Sequence, residues 1–121
     1  MIYFKANNTE YPASIAGKVT DWDWGGRKSK AVTLEMTHAQ AAQMFVDGLA
    51  WSIVQREDVP VYGEDGLPTG ETTETVQEWD NSDYCVAGSI TDNRDGTCTC
   101  KMGKKTASDL LAELEAAYDG N

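Results

Sequence analysis

The sequence predicts an α+β domain: a mainly antiparallel sheet of about six to seven strands with two short helices, at about 38–47 and 107–118, packed on it. Three observations predict this. Segments with period-two alternation recur between turn residues along the chain. Thr37 and Gln40 form a capping-box pair ahead of a stretch at helical spacing. Near the C-terminus, Leu110, Leu111, Leu114, Ala117 and Tyr118 make one apolar stripe. In a chain of 121 residues two separate cores would each be too small to bury their apolar surface, so residues 1–121 are expected to form one domain.

The first strand is expected over Ile2 to Lys5, before a turn at Asn7-Asn8, where Asn tolerates positive φ. A second covers Tyr11 to Thr20, with Ile15, Gly17 and Val19 on one face, and runs into Asp21-Trp22-Asp23-Trp24. Trp22 and Trp24 are then expected to share a strand face. Gly25-Gly26 breaks the extended pattern, and Arg27-Lys28-Ser29-Lys30 reads as an exposed basic turn. In the third strand, Ala31 to Met36, Val32, Leu34 and Met36 alternate with polar positions.

Thr37 then supplies an N-cap oxygen, and Ala41, Met44 and Phe45 recur at helical spacing up to Asp47-Gly48, which gives the first helix. Trp51 to Arg56 alternates and is rich in β-branched and aromatic residues, so a strand follows, reaching towards Tyr62 with Pro60 weakening its far end. From Glu57 to Asp83 there are nine acidic residues and no Lys or Arg. With Gly63, Gly66, Pro68 and Gly70 near the middle, this acidic excursion at about 57–83 reads as a long exposed hairpin with its tip at 63–70 and its return strand at 72–79. Asp80 to Asp83 makes the next turn. Tyr84 to Thr91 and Thr97 to Met102 flank a hairpin loop at 92–96, and Thr106 caps the last helix, which Gly120 stops.

Twenty Asp and Glu against ten Lys and Arg give a formal charge of -10, which opposes direct binding to a phosphate backbone or an anionic bilayer. The excess is uneven. Arg27, Lys28 and Lys30, and then Lys101, Lys104 and Lys105, are two basic spots. Neither a long apolar run nor a basic leader is present, so no membrane span or secretory signal is expected. A cytosolic protein is the simpler expectation.

Three cysteines, Cys85, Cys98 and Cys100, are an odd number in a chain read as unsecreted, which is poor ground for a disulfide framework. With the loop at 92–96, antiparallel counting sets Thr91 opposite Thr97 and pairs Ile90 with Cys98, Gly88 with Cys100 and Val86 with Met102. Cys85 then falls on the other face, so the three thiolates do not converge on a metal, and buried packing is their expected role. His38, the one histidine, sits in the first turn of a helix without a nucleophile motif. Carboxylate pairs such as Asp21/Asp23 and Asp80/Asp83 are expected by coincidence among twenty acids. In the loop at 92–96 a calcium alignment puts Thr91 and Met102 at ligand positions. No cofactor, no metal and no catalytic residue is therefore assigned, and the chain is expected not to be an enzyme. What remains is a candidate interaction surface: Trp22 and Trp24, together with Glu57, Asp58, Glu64, Asp65, Glu71, Glu74 and Glu78.

The segments Asp23 to Lys30, Phe45 to Val54, Trp79 to Gly88 and Thr91 to Thr97, with Lys101-Met102-Gly103-Lys104, resemble small uncharacterised proteins encoded in phages and prophages of gut Clostridia-like bacteria. The resemblance covers most of the chain. Members lie near tail or late structural genes and have no assigned catalytic residues. It implies a phage or prophage structural or interaction protein, tail- or virion-associated, located in the cytoplasm of the host bacterium or in the virion, whose partners are virion proteins or further copies of itself. The alternative is an acidic inhibitor, anti-CRISPR-like or otherwise anti-defence, of a basic host nuclease or another enzyme that handles nucleic acid.

Overall fold

The computed structural model describes residues 1–119, with side chains through residue 117. Its strands are β1 (Ile2–Ala6), β2 (Thr9–Asp21), β3 (Arg27–Glu35), β4 (Ser52–Tyr62), β5 (Pro68–Asp80), β6 (Val86–Asp92) and β7 (Thr97–Gly103), with α1 (His38–Met44) after β3 and α2 (Ala107–Asp119) after β7. All seven strands join one antiparallel sheet in the order β5-β4-β1-β2-β3-β7-β6, the α+β arrangement the sequence predicts. Among the described residues no helix is long and apolar enough to cross a membrane. The expected stop at Gly120 lies outside the described residues.

Local chemistry explains the elements. Asn7 and Asn8 both take the left-handed conformation, φ 54° and 63°, which lets Ala6 pair directly with Thr9 across a two-residue turn. At α1, the Thr37 hydroxyl accepts the Gln40 N–H at 3.1 Å and the Gln40 side-chain oxygen accepts the Thr37 N–H at 3.0 Å, so the predicted capping box is complete. The helix ends at Met44, earlier than expected, because Phe45 leaves helical geometry and its ring is buried in the core.

The core lies on the sheet face that α1 covers. Phe4 is its centre, with ring centroids 4.9 Å from Phe45 and 5.4 Å from Trp51. Alternation in β3 and β7 puts Leu34 beside Cys98 and Val32 beside Cys100, so both cysteines are buried packing residues. The Trp51 indole N–H donates to the Tyr84 carbonyl at 2.9 Å, which satisfies the polar edge of a buried ring.

Four expectations are corrected. Trp22 and Trp24 do not share a strand face: the Asp21 side chain accepts the Asp23 N–H, Gly25 is left-handed at φ 68°, and the chain closes a 3-10 turn over Trp22–Trp24. Arg27 to Lys30 is the start of β3, with Ser29 buried because its hydroxyl donates to Asp21 at 2.9 Å. The β6–β7 register is shifted. Asp92 accepts the Arg94 N–H and Asn93 N–H donates to the Thr97 carbonyl, so the loop closes at 93–97 and Thr91 faces Thr99, Ile90 faces Cys100, and Ala87 faces Met102. A bulge between Ala87 and Ile90 takes up the difference and brings Gly88 under Trp24, where any Cβ would stand 2.6 Å from the indole. Finally, the α2 stripe does not pack on the sheet. Leu110, Leu111 and Leu114 are exposed, Leu114 at 66%.

Candidate interaction surfaces

Two elements lie outside the core, and both carry contact chemistry. The first is the hairpin of β4 and β5. Strand β1 pairs with β4 only from Ser52 to Gln55, so beyond Arg56 the two strands have only each other, and β5 is the free edge of the sheet. No residue from 57 to 80 is buried. The acidic excursion is therefore a projecting two-stranded arm, tied at its tip by the Gly63 N–H to the Leu67 carbonyl at 2.9 Å.

The predicted acidic residues divide along this arm. Near its base Glu74 and Glu78 are held internally. Arg56 forks onto Glu10 at 2.8 and 2.7 Å and reaches Glu74 at 2.6 Å, while Lys5 bonds Glu78 at 2.9 Å. Hydrogen bonds to both carboxylates push the Arg56 guanidinium above its ordinary range, and the same fork holds Glu10 below its own. These pairs fix the arm's root. Further out, Glu57, Asp58, Glu64, Asp65 and Glu71 have no ion-pair partner among the described residues. Asp58 sits directly opposite Glu74, a like-charge pair that only Arg56 relieves. Val76 and Trp79 add exposed apolar surface to the edge strand.

The tryptophans separate. Trp22 is 83% exposed and presents its ring to solvent. Trp24 is packed against Gly88 and Gly103 with the Arg27 guanidinium 5.0 Å above it, so it braces the fold and contributes no contact face.

The second outlying element, α2, was invisible as a surface in the sequence because an apolar stripe ordinarily faces inward. Here the polar side is the anchored one. Asp109 pairs with Arg27 and accepts the Thr106 N–H at 2.9 Å, and Glu113 pairs with Lys105. Arg27, first, and the Thr106 backbone bond hold the Asp109 carboxyl down at about 2.

Asp21, which the sequence offers only as a chance neighbour of Asp23, is a buried carboxylate. Asp21 accepts Ser29 Oγ and Lys101 Nζ, each at 2.9 Å, and the Lys101 bond leads the shift of its pKa below the ordinary value. Fully partnered in this way, it joins β2, β3 and β7 and has no reacting atom to offer. Among the described residues no three His, Cys, Asp or Glu converge as a metal site. Compared with protein families, curated proteins and solved structures, the chain matches none of them.

Proposed function

We propose that this chain is a non-catalytic interaction protein, a structural or assembly component of a phage or prophage particle, that engages another protein through the β4–β5 arm. One observation carries the reading: β5 is exposed along all 13 of its residues and leaves a sheet edge unpaired. Long open edges are pairing templates, and two-stranded ribbons are marginal without a partner. Exposed Trp22 and the α2 leucines are further apolar surface of the kind that marks protein contacts. The virion setting rests on the sequence resemblance alone.

The test is affinity capture from a phage-producing host with the intact chain and with an arm-shortened variant in which Asn-Gly replaces residues 59–73. Capture of a virion protein by the intact chain and its loss in the variant support the proposal. Capture that survives shortening, or virions that lack the chain by mass spectrometry, would overturn it.

The acidic-inhibitor reading is favoured by the outer carboxylates, which lack internal cations. Because Glu74 and Glu78 are already paired, charge reversal at Asp58, Glu64 and Glu71 is the discriminating change. Binding to a basic nuclease that survives that reversal eliminates the mechanism.

A further inference from the structure

In a chain with twice as many acids as bases, cations are expected to be paired, and most are. Lys5, Arg27, Arg56, Lys101, Lys104 and Lys105 all stand in ion pairs. The other four are Lys18, Lys28, Lys30 and Arg94, which have no carboxylate within ion-pair distance among the described residues. Two of these four gather at one place, whereas Lys18, paired with Ser29, points to the opposite face of the sheet. Lys28 and Lys30, with Gly17 and Val19 across from them, line a pocket of about 320 Å³ between β2 and β3, walled by the Tyr84 ring, at the small end of the range for ligand pockets.

The pocket is held by contacts that leave positive charge in it. The Lys30 ammonium lies 4.6 Å from the centroid of Tyr84 and donates to the Asn81 side-chain oxygen, while Lys104 lies 5.1 Å from the same ring. Two cations on one ring repel, and the one carboxylate beside them, Asp83, is bonded to Lys104 at 2.8 Å. Burial pulls the Lys30 ammonium below its ordinary range, and the Lys104 charge adds to the pull against the countering Asp83. An incoming carboxylate would relieve both effects. The other side of the imbalance is the outer arm, where Glu57, Asp58, Glu64, Asp65 and Glu71 stand unpaired beside the exposed Tyr62 and Leu67.

Resting on the assembly reading above, we propose that the acidic tip of the arm docks into the Lys28/Lys30/Tyr84 pocket of a second copy of this chain. Unlike surfaces meet, so the contact is heterologous: each copy has one free arm and one free pocket, and copies add head to tail into rings or filaments. Carboxylates of the tip face the lysines, and the apolar side chains of the tip lie against Tyr84.

Sedimentation velocity tests this with charge swaps at exposed positions only. The wild-type chain is expected to self-associate at about 50 mM salt and to dissociate by about 500 mM, because such pairs are screened. The pocket variant K28E and the tip variant E64K/E71K should each associate at least about tenfold more weakly. Mixed in equal amounts, they should associate again, because the acidic tip meets the unaltered pocket and the basic tip meets Glu in place of Lys28. The variant carrying all three changes should associate by the same rule. The neutral K28Q and E64Q/E71Q weaken association with smaller shifts and, mixed, stop at a 1:1 dimer, because only one charged tip and one charged pocket remain; circular dichroism confirms that each variant folds. A wild-type chain that stays monomeric at low salt, a charge-swapped mixture that does not associate, or association indifferent to the swaps overturns the proposal. Capture of a different virion protein by the arm would still leave the assembly reading standing.

Discussion

If the β4–β5 arm is a contact device and not part of the folding core, removing it should barely alter stability. The arm-shortened variant joins Asp58 to Glu74, which already face each other across the hairpin, so the register of the retained strands is unchanged. What is lost can be sized. No side chain from 59 to 73 is buried, and the apolar ones with partial burial are Val59 and Val61. At about 1.5–3 kcal/mol for a fully buried side chain, the two half-buried valines together are worth about 2 kcal/mol. The shorter connection returns about 1–2 kcal/mol of closure entropy. For a chain of this length 1 kcal/mol corresponds to about 4 °C in Tm. The expected Tm by calorimetry therefore lies within about 4 °C of the parent. A fall of more than about 12 °C, or loss of cooperative unfolding, would show that the arm belongs to the core and would refute the argument that it is free to bind.

Phe4→Ala empties the centre of the core, where the ring is 0% exposed against Phe45 and Trp51; a loss of about 3–5 kcal/mol, or about 12–20 °C in Tm, is expected in thermal melts. Gly103→Ala would drive a methyl to 2.9 Å from the Trp24 ring and into the Arg27 side chain, costing about 1–3 kcal/mol and changing the near-ultraviolet circular dichroism of the tryptophans. Thiol titration of the native protein should find half-exposed Cys85 reacting quickly and two thiols reacting only on unfolding, because burial pushes Cys100 up to about 12 and raises Cys98 as well. Asp109 titrates at about 2 in the folded chain against an ordinary 3.8. Its contribution to holding α2 is therefore full above about pH 4 and lost as pH falls through about 2. Carbon-detected NMR of the Asp109 carboxyl reads that midpoint directly, and Arg27→Met should return it towards the ordinary value.

The parts of the fold legible in the sequence were those with local causes. The Asn7-Asn8 turn, the Thr37/Gln40 box and the alternation of Val32, Leu34, Cys98, Cys100 and Met102 each depend on residues within a few positions of one another, and each is present. What misled depended on distant partners. Arg27 to Lys30 reads as a polar turn until Asp21 accepts Ser29 and Lys101 across three strands. The β6–β7 register depends on the side chains of Asp92 and Asp95 capping loop amides and on Trp24 needing room above Gly88, and no count along one hairpin contains that ring. The arm was legible as an acidic hairpin, but the division of its carboxylates was not, since Glu10 and Lys5 reach it from β1 and β2. The pocket at Tyr84 was half legible: the basic spot at 27–30 was visible, whereas Tyr84 joins it only in three dimensions.

The orientation of α2 follows from a competition between two costs. Rotating the helix to bury Leu110, Leu111 and Leu114 would recover about 1 kcal/mol for each half-exposed leucine, about 3–4 kcal/mol in all. The same rotation would carry Asp109 away from Arg27, whose side chain is 12% exposed beneath α2 and against Trp24. Stripping Asp109 from Arg27 would leave a largely desolvated guanidinium without its carboxylate, the costly way to break such a pair. The electrostatic anchor thus opposes the apolar gain and holds the leucines outside. A partner that covers them escapes the conflict, because it buries the stripe without touching Arg27. The exposed stripe is in this sense a consequence of the way Trp24 and Arg27 close the sheet, and it leaves α2, like the arm, with its apolar contacts still to be made.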